Sequence, residues 1–128
     1  EKQGIACWSG NDDESHDGRH IHGSHGVISV TSNIVPGLMR QLMDNKSIEL
    51  NNRLQGLMQW LFCEPNPIGI NTALMMTDAV SPNFRLPYKA LTTAQRQQGF
   101  ELLAALNSDD IVGDTLSLLD DSDFKYCV

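Results

Sequence analysis

The chain has 128 residues, 41% of them hydrophobic and 20% charged, which suffices to bury the core of a globular domain. Its net charge is −7 and its basic residues are scattered singly, which argues against a nucleic-acid surface or a basic membrane patch. The most apolar windows, 57–63 and 68–76, are too short to span a bilayer. The widely spaced cysteines Cys7, Cys63 and Cys127 lack metal-ligand spacing and predict free thiols in a reducing compartment.

The first part of the sequence predicts a strand, a helix and a second strand. Residues 4–8 are a short apolar stretch typical of a buried strand, and turn residues follow it. Residues 13–21 predict a polar helix that ends at Gly23, and residues 26–30 predict the second strand. Two short strands about twenty residues apart, with a helix between them, indicate a βαβ unit with parallel strands.

From Pro36 onward the pattern is helical, and proline suits the first turn of a helix. Further helices are predicted over residues 70–77 and 94–106, with an extended linker at 85–88 and a cap at Thr92-Thr93. The methionines are predicted to fill the core. Apolar residues at helical spacing predict two core-facing helices, one with Leu38, Met39, Leu42 and Met43 and one with Leu50, Leu54, Leu57, Met58 and Leu61.

This order of elements predicts an α/β fold that is incomplete within the chain. Two parallel strands need neighbouring strands for their hydrogen bonds and helices on both faces. The last two strands of a (β/α)8 TIM barrel, followed by a C-terminal helical region, satisfy the order. We therefore expect residues 1–47 to end the barrel, 48–106 to form the helical region and 107–128 to form an acidic tail that packs partly as an extended arm. The start at Glu1, without methionine or leader, suggests a piece of a longer precursor.

Four histidines, His16, His20, His22 and His25, raise the question of a metal site. His16 and His20 stand four residues apart on the predicted helix, as zinc ligands can. No cysteine or carboxylate is fixed by spacing as a third ligand, and glycines interrupt the segment. A solvated helix and loop is the favoured interpretation, and no metal is predicted.

The segments that follow the two strands are the candidate functional site. In a barrel the C-terminal strand ends form the floor of the active site, so residues 9–12 and 28–33 are expected to converge there. Gly10 would let a substrate approach the backbone, and strand-end carbonyls and hydroxyls would orient it. Asp12, Asp13 and Glu14 could supply a general base, but for Asp13 and Glu14 a helix-cap role is favoured.

Four segments carry a resemblance to a known enzyme family. They are WSGNDDESHDGR, GVISVTSNIVPGLMRQLM, LFCEPNPIGINTAL and FRLPY. In these segments the sequence resembles the C-terminal part of the dihydrodipicolinate synthase family, the aldolases of lysine biosynthesis. Because several motifs occur in the family's order and approximate spacing, the resemblance is more specific than any single motif. The acidic ending VGDTLSLLDDSDF is similar to the tail of the plant enzymes, which are chloroplast proteins.

The resemblance implies a Schiff-base lyase. In such an enzyme a lysine condenses with pyruvate, the resulting enamine attacks L-aspartate-4-semialdehyde, and cyclisation gives hydroxytetrahydrodipicolinate. The amine activates the carbonyl covalently. The resemblance implies no cofactor, and it implies a homo-oligomer, a tetramer in the family.

Motif positions carry two binding roles over to this chain. Ile28 is implied to contact bound pyruvate through its backbone, and Gly10 to lie beside the pocket of the second substrate. The family's catalytic lysine and relay tyrosine lie on earlier strands, so no catalytic residue is expected here and the isolated chain is expected to be inactive. The residues that do not match those positions are Lys2, Lys46, Lys89, Lys125, Tyr88 and Tyr126.

The sequence departs from the plant pattern at two places. Asp78 stands where a glycine is expected to end a helix, although aspartate can serve there at some cost. His20 and His22 replace aromatic residues, which affects the packing of their helix. Two alternatives stay open: a truncated chain that acts by association rather than catalysis, and a sibling pyruvate-dependent aldolase of the same superfamily.

Overall fold

The computed structural model describes residues 4–127, in which five helices and four short strands are joined by turns. The elements are β1 (Trp8–Ser9), α1 (Ser15–His20), β2 (Gly26–Val27), α2 (Pro36–Asp44), α3 (Ile48–Leu61), α4 (Ile68–Met76), β3 (Asn83–Arg85), α5 (Thr93–Ala104) and β4 (Lys125–Cys127). Short 3-10 turns lie at Thr31–Asn33, Ser108–Asp110 and Asp121–Asp123. The predicted order of strand, helix, strand and then helices is confirmed, with boundaries shifted by a few residues.

The strands β1 and β2 pair in parallel, as predicted, with Trp8 opposite Gly26 and Ser9 opposite Val27. One further bond flanks the ladder on each side, from the His25 N–H to the Cys7 carbonyl and from the Ile28 N–H to the Ser9 carbonyl. The prediction of strands over 4–8 and 26–30 was wrong in extent, because only these few backbone groups find partners in the other strand.

The prediction that residues 4–8 are buried is also wrong. Ile5 is 63% exposed and Trp8 57% exposed. The cause is the size of the sheet: among residues 4–127, β1 pairs with β2 and with no third strand. Apolar, β-branched residues favour a pleated surface that is covered on both faces. The residues that would cover Ile5 and Trp8 must therefore lie outside this two-stranded sheet.

The core lies between the helices α2 to α5, which bury one continuous apolar cluster. Trp60 of α3 is buried at its centre, and its indole N–H donates to the Gln95 carbonyl of α5 at 2.7 Å. Apolar side chains from all three predicted segments join the cluster, and the three-part division stays a prediction. The predicted core role of methionine is confirmed, since Met39, Met58, Met75 and Met76 are buried and Met43 packs against them partly buried.

The helix ends follow the local sequence. Thr92 and Gln95 form a capping box at the start of α5, which confirms the predicted cap. Ser47 caps α3 by accepting a hydrogen bond from the Leu50 N–H at 3.2 Å. After α4, Asp78 has a φ of 57°, the left-handed conformation that glycine ordinarily supplies. Aspartate therefore ends this helix where a glycine was expected.

The acidic tail packs as an extended arm, as predicted, and also adds a strand. Ile111, Leu116 and Leu119 lie against the helical core, and the Val112 N–H donates to the Ile34 carbonyl at 2.9 Å. Strand β4 pairs in parallel with β3, which includes part of the predicted linker. The linker prediction missed this strand, because its partner lies some forty residues away along the chain.

Arg96 of α5 fastens the tail to the core. It is 2% exposed, and its guanidinium donates to the Leu91 carbonyl at 2.5 Å and to the Leu119 carbonyl at 3.0 Å. It also pairs with Asp121 and lies 5.1 Å from the ring centre of Phe124. A buried guanidinium must be hydrogen-bonded, and the tail supplies two of the acceptors that allow Arg96 to be buried, the Leu119 carbonyl and Asp121.

The cysteines Cys7, Cys63 and Cys127 are all unpaired, as predicted. No helix in the described part of the chain is both long and apolar enough to cross a membrane.

Replacing Gly99 with alanine is expected to destabilise the protein. Gly99 is buried in α5, and a β-carbon there would overlap the Trp60 ring. Overpacking of this kind costs about 1–3 kcal/mol. The matched control is Gly37→Ala in α2, where a β-carbon meets nothing within 4 Å and should be neutral or stabilising by up to about 1 kcal/mol. Thermal unfolding of both variants tests this, and equal melting temperatures would contradict it.

Candidate functional site

The two segments that follow β1 and β2 lie side by side, as the sequence predicts. Because the strands are parallel, both C-terminal ends meet at the same edge of the sheet. The Ile28 N–H donates to the Ser9 carbonyl at 2.9 Å, so the two chains stay together beyond the last ladder pair. This edge brings the predicted positions Gly10 and Ile28 into one region of the surface.

Asp12 connects the two strand ends. It is 2% exposed, and its Oδ2 accepts three hydrogen bonds, from the Val30 N–H at 3.0 Å and from the N–H and Oγ1 of Thr31 at 2.8 Å each. Thr31 is fully buried. The carboxylate thus caps the 3-10 turn at the end of β2 from the neighbouring strand. Its Oδ1 is buried and has no donor among the described residues.

Asp13 and Glu14 lie at the start of α1, where the predicted cap role places them. Glu14 occupies the N-cap position of α1, but its side chain makes no hydrogen bond to the helix backbone. It accepts instead from the Asn11 side-chain amide at 3.3 Å, and Asp13 is exposed. The capping acid is Asp12, which serves a turn distant in sequence. The sequence signals for this contact were an acid after one strand and a threonine after the next.

The hydroxyl groups at the strand ends are used within the turns. Ser9 Oγ donates to the Asn11 carbonyl at 3.0 Å, and Ser32 Oγ donates to the Ser29 carbonyl at 3.1 Å. Thr31 Oγ1 donates to Asp12. Most carbonyls of these two segments also accept hydrogen bonds within the turns, so few of the groups that were expected to orient a ligand are left without a partner among the described residues.

Ile28 presents such a carbonyl. Its side chain is 77% exposed, and its N–H is bonded to Ser9, while no donor within residues 4–127 reaches its carbonyl oxygen. Gly10 lies on the adjacent segment with open space around it: a β-carbon there would meet nothing within 4 Å, and its φ lies outside the left-handed region. The backbone angle at Gly10 therefore does not require glycine. A requirement for glycine would come from a neighbour outside the described residues.

The prediction of solvated histidines is wrong for the two on α1, His16 and His20. His16 is 3% exposed, with its Nδ1 3.0 Å from Asp17 Oδ1, and its ring centre is 4.9 Å from that of His20. His20 Nε2 lies 2.8 Å from the Leu42 carbonyl at the end of α2. Helix C-termini carry unpaired carbonyls, which a ring N–H can satisfy. His20 therefore docks α1 against α2, and His16 is buried beside it.

The remaining histidines are exposed: His22 stands in the loop after α1, and His25 Nδ1 accepts from the Cys7 N–H at 3.3 Å. In the described part of the chain, no three side chains of metal-binding type come together.

Comparison with known proteins places this geometry in a family. The sequence profile of the dihydrodipicolinate synthetase family matches residues 1–106. The chain belongs to this family. Among curated family members it is 52% identical over 95% of its length to 4-hydroxy-tetrahydrodipicolinate synthase 1, chloroplastic, of Triticum aestivum, and 50% identical over 94% to the chloroplastic enzyme of Nicotiana tabacum. The chain is 51% identical, over 96% of its length, to 4-hydroxy-tetrahydrodipicolinate synthase 1, chloroplastic, of Arabidopsis thaliana.

Solved structures of the family share the fold. The dihydrodipicolinate synthase of Thermotoga maritima superposes with a TM-score of 0.71 at 30% identity, covering 80% of this chain and 37% of that chain. The Acinetobacter baumannii enzyme, solved in complex with pyruvate, gives a TM-score of 0.69 at 31% identity, covering 78% of this chain and 36% of that chain. The predicted fold class is confirmed: the chain is part of a (β/α)8 barrel followed by helices. It spans 32% of the wheat protein and 34% of the tobacco protein.

Replacing Thr31 with valine tests the link between the strand ends. The change keeps the shape of the side chain and removes one of the three donors to Asp12. A hydrogen bond to a charged group contributes about 1.5–3 kcal/mol, so we expect the free energy of unfolding to fall by about that amount. The matched control is Thr115→Val at an exposed site, expected within about 0.5 kcal/mol of the parent. Denaturant titration measures both, and equal losses would contradict a specific role of the Thr31 hydroxyl.

Proposed function

We propose that the full-length protein is a 4-hydroxy-tetrahydrodipicolinate synthase that condenses pyruvate with L-aspartate-4-semialdehyde in lysine biosynthesis. The observation that carries the proposal is the identity of about half of all aligned positions with plant enzymes of that name, over nearly the whole chain. The aligned region includes both strand-end segments, which meet at one edge of the sheet. A sibling aldolase is disfavoured by the names of these relatives.

In this proposal the chain supplies part of the floor of the active site. The Ile28 carbonyl, which lacks a donor among the described residues, contacts bound pyruvate, and Gly10 borders the pocket of the second substrate. A carbonyl oxygen carries partial negative charge. It therefore suits the positively charged iminium that forms when an amine condenses with the pyruvate carbonyl.

The amine comes from outside this chain. Lys46, Lys89 and Lys125 lie respectively between α2 and α3, before α5 and in β4, and none belongs to a strand-end segment. Lys2 lies outside the described residues. The tyrosines Tyr88 and Tyr126 also lie in the β3–β4 region rather than at the strand ends. The isolated chain therefore contributes substrate contacts without the covalent step, and it is inactive alone.

The names of the relatives support a proposal about location, and the family resemblance supports one about assembly. We propose that the full-length protein acts in the chloroplast, because the plant relatives are named chloroplastic. We also propose that it forms a homo-oligomer, a tetramer by family resemblance. The division into a barrel end (1–47), a helical region (48–106) and a tail (107–128) is part of the same proposal.

Trapping with borohydride tests the reaction type. The full-length protein, incubated with pyruvate and sodium borohydride, should gain one pyruvate-derived adduct on a lysine outside this chain, because reduction makes the Schiff base permanent. This chain expressed alone should stay unlabelled. Peptide mass spectrometry locates the adduct. Pyruvate-dependent labelling of a lysine within this chain would overturn the assignment of the lysine, and an unlabelled full-length protein would remove the Schiff-base mechanism.

Replacing Gly10 with valine in the full-length enzyme should depress turnover while leaving the fold intact. The chain leaves open space at Gly10, so added methyl groups would crowd the substrate rather than the protein. Misplacing a substrate by about 1 Å can reduce the rate as much as 100-fold. Ile28→Val keeps the backbone carbonyl and should change the KM for pyruvate far less. Steady-state kinetics with both substrates, together with melting curves, measure these effects. Unchanged turnover in Gly10→Val would exclude this loop from the site.

A further inference from the structure

We propose that Asp12 is a positioning residue of the active site, which holds the end of β2 so that the Ile28 carbonyl keeps its place beside bound pyruvate. The proposal rests on the proposed function, because it concerns the same pyruvate contact. Asp12 itself touches no substrate and acts through the backbone that it binds.

The segment from Ile28 to Thr31 is held at both ends by the chain of β1. At its start the Ile28 N–H donates to the Ser9 carbonyl at 2.9 Å. At its finish the N–H groups of Val30 and Thr31 donate to Asp12 Oδ2 at 3.0 and 2.8 Å. With both ends of so short a segment fixed, the peptide that carries the Ile28 carbonyl has little freedom to turn.

Burial makes this arrangement hard to replace. Asp12 is 2% exposed and Thr31 fully buried, and within residues 4–127 neither donating N–H has another acceptor. A buried donor without a partner costs about 1–3 kcal/mol, so the segment would rearrange to recover hydrogen bonds if the carboxylate were removed. Such a rearrangement would move the Ile28 carbonyl.

The carboxylate is also badly placed for direct chemistry. Its Oδ2 is occupied by three donors from the protein, and its Oδ1 is inaccessible to solvent and has no partner among the described residues. A general base needs an oxygen within reach of the proton that it removes. Asp12 offers no such oxygen at the surface, whereas the segment that it holds carries one at Ile28.

Three variants of the full-length enzyme separate these roles. Asp12→Asn keeps an oxygen that can accept from the three donors, and its amide group takes the place of Oδ1, which has no partner among the described residues. Asp12→Ala removes the acceptor. Thr31→Val removes one of the three donors. Asp13→Ala is the matched control, because it removes the same charge from an exposed neighbour. Each protein is assayed for KM and kcat with pyruvate, for the rate of borohydride trapping and for its melting temperature.

The proposal predicts a graded effect on pyruvate binding. Asp12→Ala should raise the KM for pyruvate about ten-fold or more and slow trapping in proportion, because a shifted contact weakens binding of the reacting group. Thr31→Val should raise this KM about two- to five-fold. The KM of Asp12→Asn should lie closer to the parental value than that of Asp12→Ala. Asp13→Ala should have the same KM for pyruvate and the same trapping rate as the parent.

Several outcomes would overturn the proposal. An Asp12→Ala enzyme with a lowered melting temperature but parental KM and trapping rate would make Asp12 structural only. An Asp12→Asn enzyme that keeps KM and stability but loses kcat would assign the charge to the chemistry itself. If Asp12→Ala does not fold, Thr31→Val becomes the test. An unchanged KM for pyruvate in Thr31→Val would then contradict the positioning role of Asp12. A parent enzyme that pyruvate and borohydride do not label would instead defeat the proposed function, and this inference with it.

Discussion

The hydrogen bonds of Asp12 are the contact on which the arrangement of the strand ends depends. The sheet of β1 and β2 has only two residue pairs in its ladder, which is too little to hold the segments beyond it. A buried carboxylate that accepts three donors from the next strand supplies the missing connection. Charge-assisted hydrogen bonds in a buried setting are stronger than neutral ones, so one side chain can stabilise a turn that the ladder does not reach.

Helices α1 and α2 connect this edge of the sheet to the apolar core. Helix α1 docks on the end of α2 through His20 and through Arg19, whose guanidinium reaches the Met43 carbonyl at 3.2 Å. Helix α2 in turn joins the apolar cluster centred on Trp60. The strand ends are therefore attached to a packed helical core, while Ile5 and Trp8 in and before β1 remain exposed. This asymmetry fits a chain that spans about a third of the length of its curated relatives.

The acidic tail illustrates how a charged segment can still pack. Most of its aspartates are exposed, while the Leu119 carbonyl and the Phe124 ring contact the buried Arg96. Because Arg96 is buried with acceptors from the tail, the two depend on each other: the tail is ordered by the guanidinium, and the guanidinium is satisfied by the tail. The family profile ends at residue 106, so this mutual burial concerns a segment beyond the matched region.

Periodicity and turn chemistry by themselves determined the helices, the cap of α5 and the parallel βαβ order, because these depend on neighbours within a few residues. Motifs in sequence determined the family and pointed to Gly10 and Ile28. Tertiary structure alone decided the burial of His16, the pairing of β3 with β4 and the open space around Gly10. It also decided that Asp12, rather than its acidic neighbours, is the capping residue. Each of these depends on groups distant in sequence, and residue type alone does not say which buried donor will meet which acceptor.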